Sequence, residues 1–153
     1  MKEILYRGKD VETGEWVYGG IVHQTDYYGD SVDKYFIIDG TDTYDNNIGG
    51  ITEVVPETVG QFTGLIDRNG EKIFEGDIIA AKYPSGEIFS VGDVQFDCGV
   101  FGVEWTNYKK NKYFVKYFGQ RHNMRRLDDD IVDEIEVIGN IHDNSELLKE
   151  DEE

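Results

Sequence analysis

Two turn signals fall close together in TGLIDRNGEKIFEGDIIA, residues 63–80, and they set the scale of everything the chain can build there. Asn69-Gly70 suits the positive φ that tight hairpin turns demand, because glycine has no Cβ to clash. Glu75-Gly76-Asp77 then breaks the chain again. Reversals this close leave room only for short apolar segments. These are Leu65 and Ile66 before the first turn, Ile73 and Phe74 between the two, and IIAAKY (78–83) after the second. Such a chain turns corners.

The same grammar runs through most of the sequence. In ILYRGKDVETGEWVYGGIVHQ, Ile4 and Tyr6 and then Trp16 and Tyr18 alternate at spacing two around Thr13-Gly14, which predicts a hairpin. Residues 25–33 and 40–50 are polar, glycine-bearing loops. KYFIID (34–39) and ITEVV (51–55) read as strands, the second ended by Pro56, which lacks the N–H a ladder requires. Downstream, Pro84, Ser85 and Gly86 form a third turn. EIFSVGDVQFD (87–97) is a longer strand with an interruption at Gly92, and Gly99 and Gly102 punctuate VFGVEWT. KYFVKYF (112–118) and EIEVIGNI (134–141) alternate as further strands. Helix is expected only over ELLK, capped by Asn144 or Ser145, and over residues 127–133. With 18 Gly, 2 Pro and 13% aromatic residues, the chain is all-β. Strands spaced by about 8–12 residues suggest a small barrel or sandwich, and glycines within strands suit its bends.

Charge and cysteine content narrow the function classes. Thirty-two acidic residues against fifteen basic ones give a formal charge of −17, which repels nucleic acid and anionic membrane at long range. The single cysteine, Cys98, excludes an intrachain disulfide and fits a reducing compartment. The opening MKEILYRGKD has no apolar run of signal-peptide length, and no segment approaches the roughly 20 apolar residues of a membrane span. A soluble, intracellular protein without membrane attachment is expected.

Three blocks carry a resemblance: YRGKDVETGEWVYG (6–19), VVPETVGQFTGLIDRNGEKIFEGDII (54–79) and VIGNIHDNSELL (137–148). In order and spacing the chain resembles the YopX family of phage and prophage proteins. Ser145 stands where that family often has proline, which leaves the exit from the last strand less fixed. The stretch from about 83 to 130 matches little. The resemblance implies an SH3-like β-barrel in the C-terminal part, a phage or prophage origin and hence the host bacterial cytoplasm. It carries over no catalytic motif.

The most unusual local feature is KKNKYFVKYFGQRHNMRR, residues 109–126, with seven of the fifteen basic residues and no acidic one. Lys109, Lys110, Lys112, Lys116, Arg121, Arg125 and Arg126 are interleaved with Tyr113, Phe114, Tyr117 and Phe118. Cationic grooves with aromatic platforms bind single-stranded nucleic acid by phosphate neutralisation and base stacking. The same pattern also fits a strand whose lysines pair with the acidic remainder, including Asp128 to Asp130, or a patch that docks on a second copy of the chain.

No other constellation carries chemistry. DDDIVDEIE (128–136) and DGTDTYDNN (39–47) lack the ligand spacing of a calcium loop. His23, His122 and His142 show no zinc spacing, and His142-Asp143-Asn144 reads as the edge of the last strand. Cys98 has no evident base, and GVFG (99–102) lacks the lysine of a phosphate loop. The reading is an N-terminal β region (1–59), an SH3-like barrel (60–145) and an acidic tail (146–153). It has no cofactor, no metal and no enzymatic function. It is expected to act through host or phage proteins or as a homo-oligomer, with single-stranded nucleic-acid binding through 109–126 as the alternative and an enzyme of unknown class as the third reading.

Overall fold

In a computed structural model of the chain, residues 3–25, 33–40, 42–43, 47–97, 99–105, 124–126 and 134–149 are described. They are all-β, with two short 3-10 turns. The chain divides into two compact units, Met1–Phe62 and Thr63–Glu153.

In the first unit, β1 (Tyr6–Lys9), β2 (Trp16–Gln24), β3 (Lys34–Ile38) and β6 (Ile51–Val54) are neighbours in the order β6-β3-β2-β1, all antiparallel. The hairpin expected around Thr13-Gly14 is present, with Lys9 opposite Trp16 and Gly14 at a φ of 71°. Asp10 organises its turn: Asp10 Oδ1 accepts the Glu12 N–H at 2.8 Å, and the Gly14 N–H donates to Asp10 O at 2.9 Å. The expected loop 40–50 holds one small ladder, between β4 (Asp42–Thr43) and β5 (Asn47–Ile48).

The sheet then curls until its two edges meet. Asp10 bridges Val54, with the Val11 N–H donating to Glu53 O and the Val55 N–H to Lys9 O at 3.1 and 2.8 Å. Gly8 makes the approach possible, since a Cβ there would lie 2.9 Å from the Val54 side chain. After Pro56 the chain forms a 3-10 turn, Pro56–Thr58. The Thr58 hydroxyl donates to Val55 O and accepts the Lys9 N–H, pinning that turn to the end of β1. β7 (Gly60–Ile66) begins in this unit, pairing Gly60 and Gln61 with Arg7 and Tyr6.

In the second unit the rest of β7 forms a hairpin with β8 (Lys72–Phe74). An antiparallel sheet follows in the order β12-β11-β10-β9-β13. Its members are β9 (Asp77–Lys82), β10 (Ile88–Asp97), β11 (Val100–Trp105), β12 (Met124–Arg126) and β13 (Ile135–Asn140). The inner strand β9 is buried on both sides from Asp77 to Ala81, which is why IIAA reads as one unbroken apolar run. One face packs Ile73, Ile79, Ala81, Val94, Val103, Trp105 and Ile135 into a core, with Leu65, Phe101 and Val137 against it. Each large aliphatic side chain so buried contributes about 1.5–3 kcal/mol. Among the described residues, the strand pairings leave this sheet open rather than closing it into the expected barrel.

Two sequence readings change in detail. The interruption expected at Gly92 is a close approach: β10 runs through it, and a Cβ there would stand 2.4 Å from Glu104 O on β11. The irregularity lies instead between Ile88 and Ser90. Asn144 precedes the 3-10 turn Ser145–Leu148 but makes no side-chain cap on it. Its Oδ1 accepts the Asn140 N–H at 3.2 Å, filling the space that the missing Cβ of Gly139 leaves open. His142 and Asp143 lie in the turn after β13, where Asn140 Oδ1 accepts both of their N–H groups. Cys98, the strand expected over 112–118, residues 127–133 and the end of the acidic tail fall outside the described residues.

The hinge of the second unit is Asp67, 5% exposed. Its Oδ1 accepts the N–H groups of Asn69 and Glu71 at 2.8 and 2.9 Å, while Oδ2 accepts the Val137 N–H of β13 at 2.9 Å. The Arg68 N–H donates to Ile135 O beside it. Hydrogen bonds to a charged acceptor are each worth about 1.5–3 kcal/mol, and stranding a buried donor costs about 1–3 kcal/mol. Asp67→Ala is therefore expected to lower unfolding stability by at least about 3 kcal/mol in urea titration, whereas exposed Asn69→Ala changes it by less than about 1 kcal/mol.

Candidate functional site

Of the residues singled out in the basic–aromatic segment, Arg125 and Arg126 fall on the backbone of β12, paired with Val103 and Gly102. Lys109, Lys110, Lys112, Tyr113, Lys116, Tyr117 and Arg121 lie outside the described residues. What the structure does bring together is an apolar face on the first unit that the sequence reading had not singled out.

That face follows from strand alternation. Tyr18, Gly20 and Val22 share one side of β2, and register sets Val22 opposite Phe36 and Gly20 opposite Ile38, with Ile38 opposite Ile51. The other side of the same strands carries Ile37 and Val54, both about 1% exposed, so the core lies there. The outward side keeps Ile51 61%, Tyr18 45% and Val22 45% exposed, with Phe36 and Ile38 half-buried between them. Gly20 leaves a hollow among them, because a Cβ placed on it would meet nothing closer than Ile38 O at 4.0 Å. At one end Trp16 is engaged by cations, with the Arg7 guanidinium 4.6 Å and the Lys9 ammonium 5.5 Å from its ring. At the other, Lys34 stands 3.9 Å from Glu53. Scattered exposed apolar side chains are ordinary, whereas contiguous apolar sets with a polar rim are the kind of surface on which proteins make contacts.

Two polar constellations are also present. The His23 ring stacks on Tyr35 with centroids 4.3 Å apart, and its Nε2 lies 3.1 Å from Asp33 Oδ1. Both partners of this pair are largely in solvent, and they fasten the end of the β2–β3 ladder. On the second unit, Asp93 and Glu104 are direct cross-strand partners on β10 and β11. Gln95 joins them, its Nε2 donating to Asp93 Oδ2 at 3.0 Å and to Glu104 Oε2 at 2.6 Å. Burial pushes the Asp93 carboxyl above its ordinary value, and the Glu104 charge adds to that, while the Gln95 hydrogen bond works against it. Lys82 and Glu136 form a partly buried ion pair. Among the described residues, no three of His, Cys, Asp and Glu gather as metal ligands, and no helix is long and apolar enough to cross a membrane.

Comparison with known proteins follows the fold. A family profile, YopX (YopX protein), matches residues 5–149. The crystal structure of protein EF1440 from Enterococcus faecalis is similar, with a TM-score of 0.57 and 24% identity over 97% of this chain and 100% of that one. At that identity the likeness speaks for the fold. No curated protein matches the chain.

The carboxylate pair gives a prediction of definite sign. Asp93 faces Glu104 on β11 and Gln95 on its own strand, and its β9 partner, Ile78, is uncharged. The folded protein holds the Asp93 proton at pH values where the unfolded chain, at the ordinary value of 3.8, has released it. This group's stabilisation is thus complete below 3.8 and is lost as pH rises through the raised value. Asp93→Asn is expected to melt higher than the parent at pH 7, with the gap closing as the pH falls toward 4 in thermal scans.

Proposed function

This chain belongs to the YopX family, and from that premise we propose that it is a non-enzymatic accessory protein acting through protein–protein contacts. The single observation supporting this reading most is the outward apolar face of Tyr18, Val22, Phe36, Ile38 and Ile51 around Gly20. Removing such a patch from water contributes roughly 25 cal/mol per Å² of apolar area, enough to anchor an interface whose rim is polar. Three of the polar side chains serve turns: Asp10, Asp67 and Asn140 all spend side-chain oxygens on backbone N–H groups. The family supports a phage or prophage origin, and with it action in the bacterial cytoplasm.

Replacing Val22→Glu and Ile51→Glu together puts two charges on the face while leaving the inward core untouched. The circular dichroism and melting temperature of the variant are expected to stay near those of the parent. Affinity capture from bacteria carrying the phage, with nuclease added, is expected to recover protein partners with the parent and at least tenfold less with the variant. Capture that disappears with nuclease, or that the double substitution leaves unchanged, overturns the reading. Loss on nuclease treatment points instead to nucleic acid bound through residues 109–126.

A further inference from the structure

The turn between β7 and β8 sets a chemically reactive pair of residues beside the carboxylate that holds the second unit in register. Of the asparagines in the sequence, Asn69 alone is followed by glycine. Glycine has no side chain to shield its backbone nitrogen, so that nitrogen can reach the side-chain carbonyl of the asparagine before it. We propose that Asn69 is a site of spontaneous covalent modification, restrained by the hydrogen bonds that converge on Asp67 and, once complete, disruptive of them.

The step is self-contained. The Gly70 nitrogen gives up its proton to solvent base and attacks Asn69 Cγ. The bond from Cγ to the amide nitrogen breaks, that nitrogen takes up a proton and leaves as ammonia, and a cyclic imide remains. Water then opens the imide at either carbonyl. One opening leaves aspartate. The other leaves isoaspartate, in which the main chain runs through Cβ and Cγ and gains one carbon atom. Water is the only co-reactant.

Exposure favours the reaction and the turn's own bonding opposes it. Arg68, Asn69 and Gly70 are all exposed, and nothing lies within 4 Å of the place a Gly70 Cβ would take, so water and base reach the pair. The hydrogen bonds of the turn use the Asn69 N–H and leave out its side-chain amide. Yet the Gly70 N–H donates to Asp67 O at 3.0 Å, and the Asp67 N–H donates to Glu71 O at 2.8 Å. An amide proton held in this way must be released before its nitrogen can attack, so the reaction waits on opening of the turn. Asp67 Oδ1 resists that opening, because it accepts the N–H groups of both Asn69 and Glu71.

The product acts back on the same carboxylate. The two donors that share Asp67 Oδ1, at 2.8 and 2.9 Å, are joined through the backbone of Asn69 and Gly70. An extra carbon in that path prevents both from returning to one oxygen while Asp67 and Glu71 stay paired. Asp67 Oδ2 accepts the Val137 N–H at 2.9 Å, so the change reaches β13, the edge strand of the sheet. Isoaspartate thus loosens the hold on β13, whereas aspartate, which keeps the ordinary backbone, does not.

Ageing the full chain in mildly alkaline buffer, folded and in urea, tests this by peptide mass mapping, with enzymatic methylation of isoaspartate as the second readout. Conversion is expected at Asn69, as a mixture of aspartate and isoaspartate, and is expected to run roughly tenfold or more slower in the folded chain than in urea. Asp67→Asn sets a side-chain donor against the backbone N–H groups and is expected to speed conversion of the folded chain. The isoaspartate-rich fraction, separated by ion exchange, is expected to melt below the parent, while Asn69→Asp melts near it. Should circular dichroism show that Asp67→Asn does not fold, the comparison with urea and the melting of the aged fraction still decide. Equal rates folded and in urea, or a folded chain in which Asn69 outlasts the other asparagines, overturns the proposal. So does a folded Asp67→Asn protein that ages no faster, or an isoaspartate-rich fraction that melts with the parent.

Discussion

A single buried carboxylate holds the second unit in register. Asp67 closes the β7–β8 turn through two backbone donors and reaches across to a third on β13. An ionised group taken out of water is tolerable only where fixed donors replace its hydration, and here backbone amides do so. One side chain thus makes a local turn and a pairing seventy residues away depend on each other. The β13 strand lies along β9, so the most buried strand of the sheet is positioned between β10 on one side and this anchored edge on the other.

The same device recurs at three other reversals of the chain. Asp10 accepts from the residue two positions on, and so do Asp67, Ser85 and Asn140. A short polar side chain that mimics a backbone turn is the physical reason Asp, Asn and Ser accompany glycine at these corners. The three blocks that resemble the YopX family contain Asp10, Asp67 and Asn140, so the resemblance is carried in part by turn chemistry. That explains how a family likeness over nearly the whole chain specifies a shape without specifying a reaction.

Much of this shape was legible in the residues and some of it was not. Glycine-marked turns at Gly14, Gly70 and Gly76 fell where expected, because positive φ leaves a compositional trace. Gly92 misled, since a glycine admitted for lack of space leaves the same letter as one admitted for its backbone angle. The shift between Ile88 and Ser90 carries no marker at all. The outward apolar face was hidden for a different reason. β2 and β3 are apolar on both sides, with Val17, Ile21 and Ile37 alternating with Tyr18, Val22, Phe36 and Ile38. Period-two alternation identifies a strand by contrast between its sides, and here the contrast is missing. The burial of Ile37 and Val54, with Gly8 packed against Val54, reveals which side is interior.

The bridge between Asp10 and Val54 has a consequence for how the first unit comes together. It joins residues forty-four positions apart, whereas the ladders it completes are built from hairpins between successive strands. Closing a loop of that length yields only two backbone hydrogen bonds, so it adds little until the neighbouring strands have already set its ends in place. The seam is therefore expected to close last, after the hairpins behind it have paired, and to seal Val54 into the interior as it does.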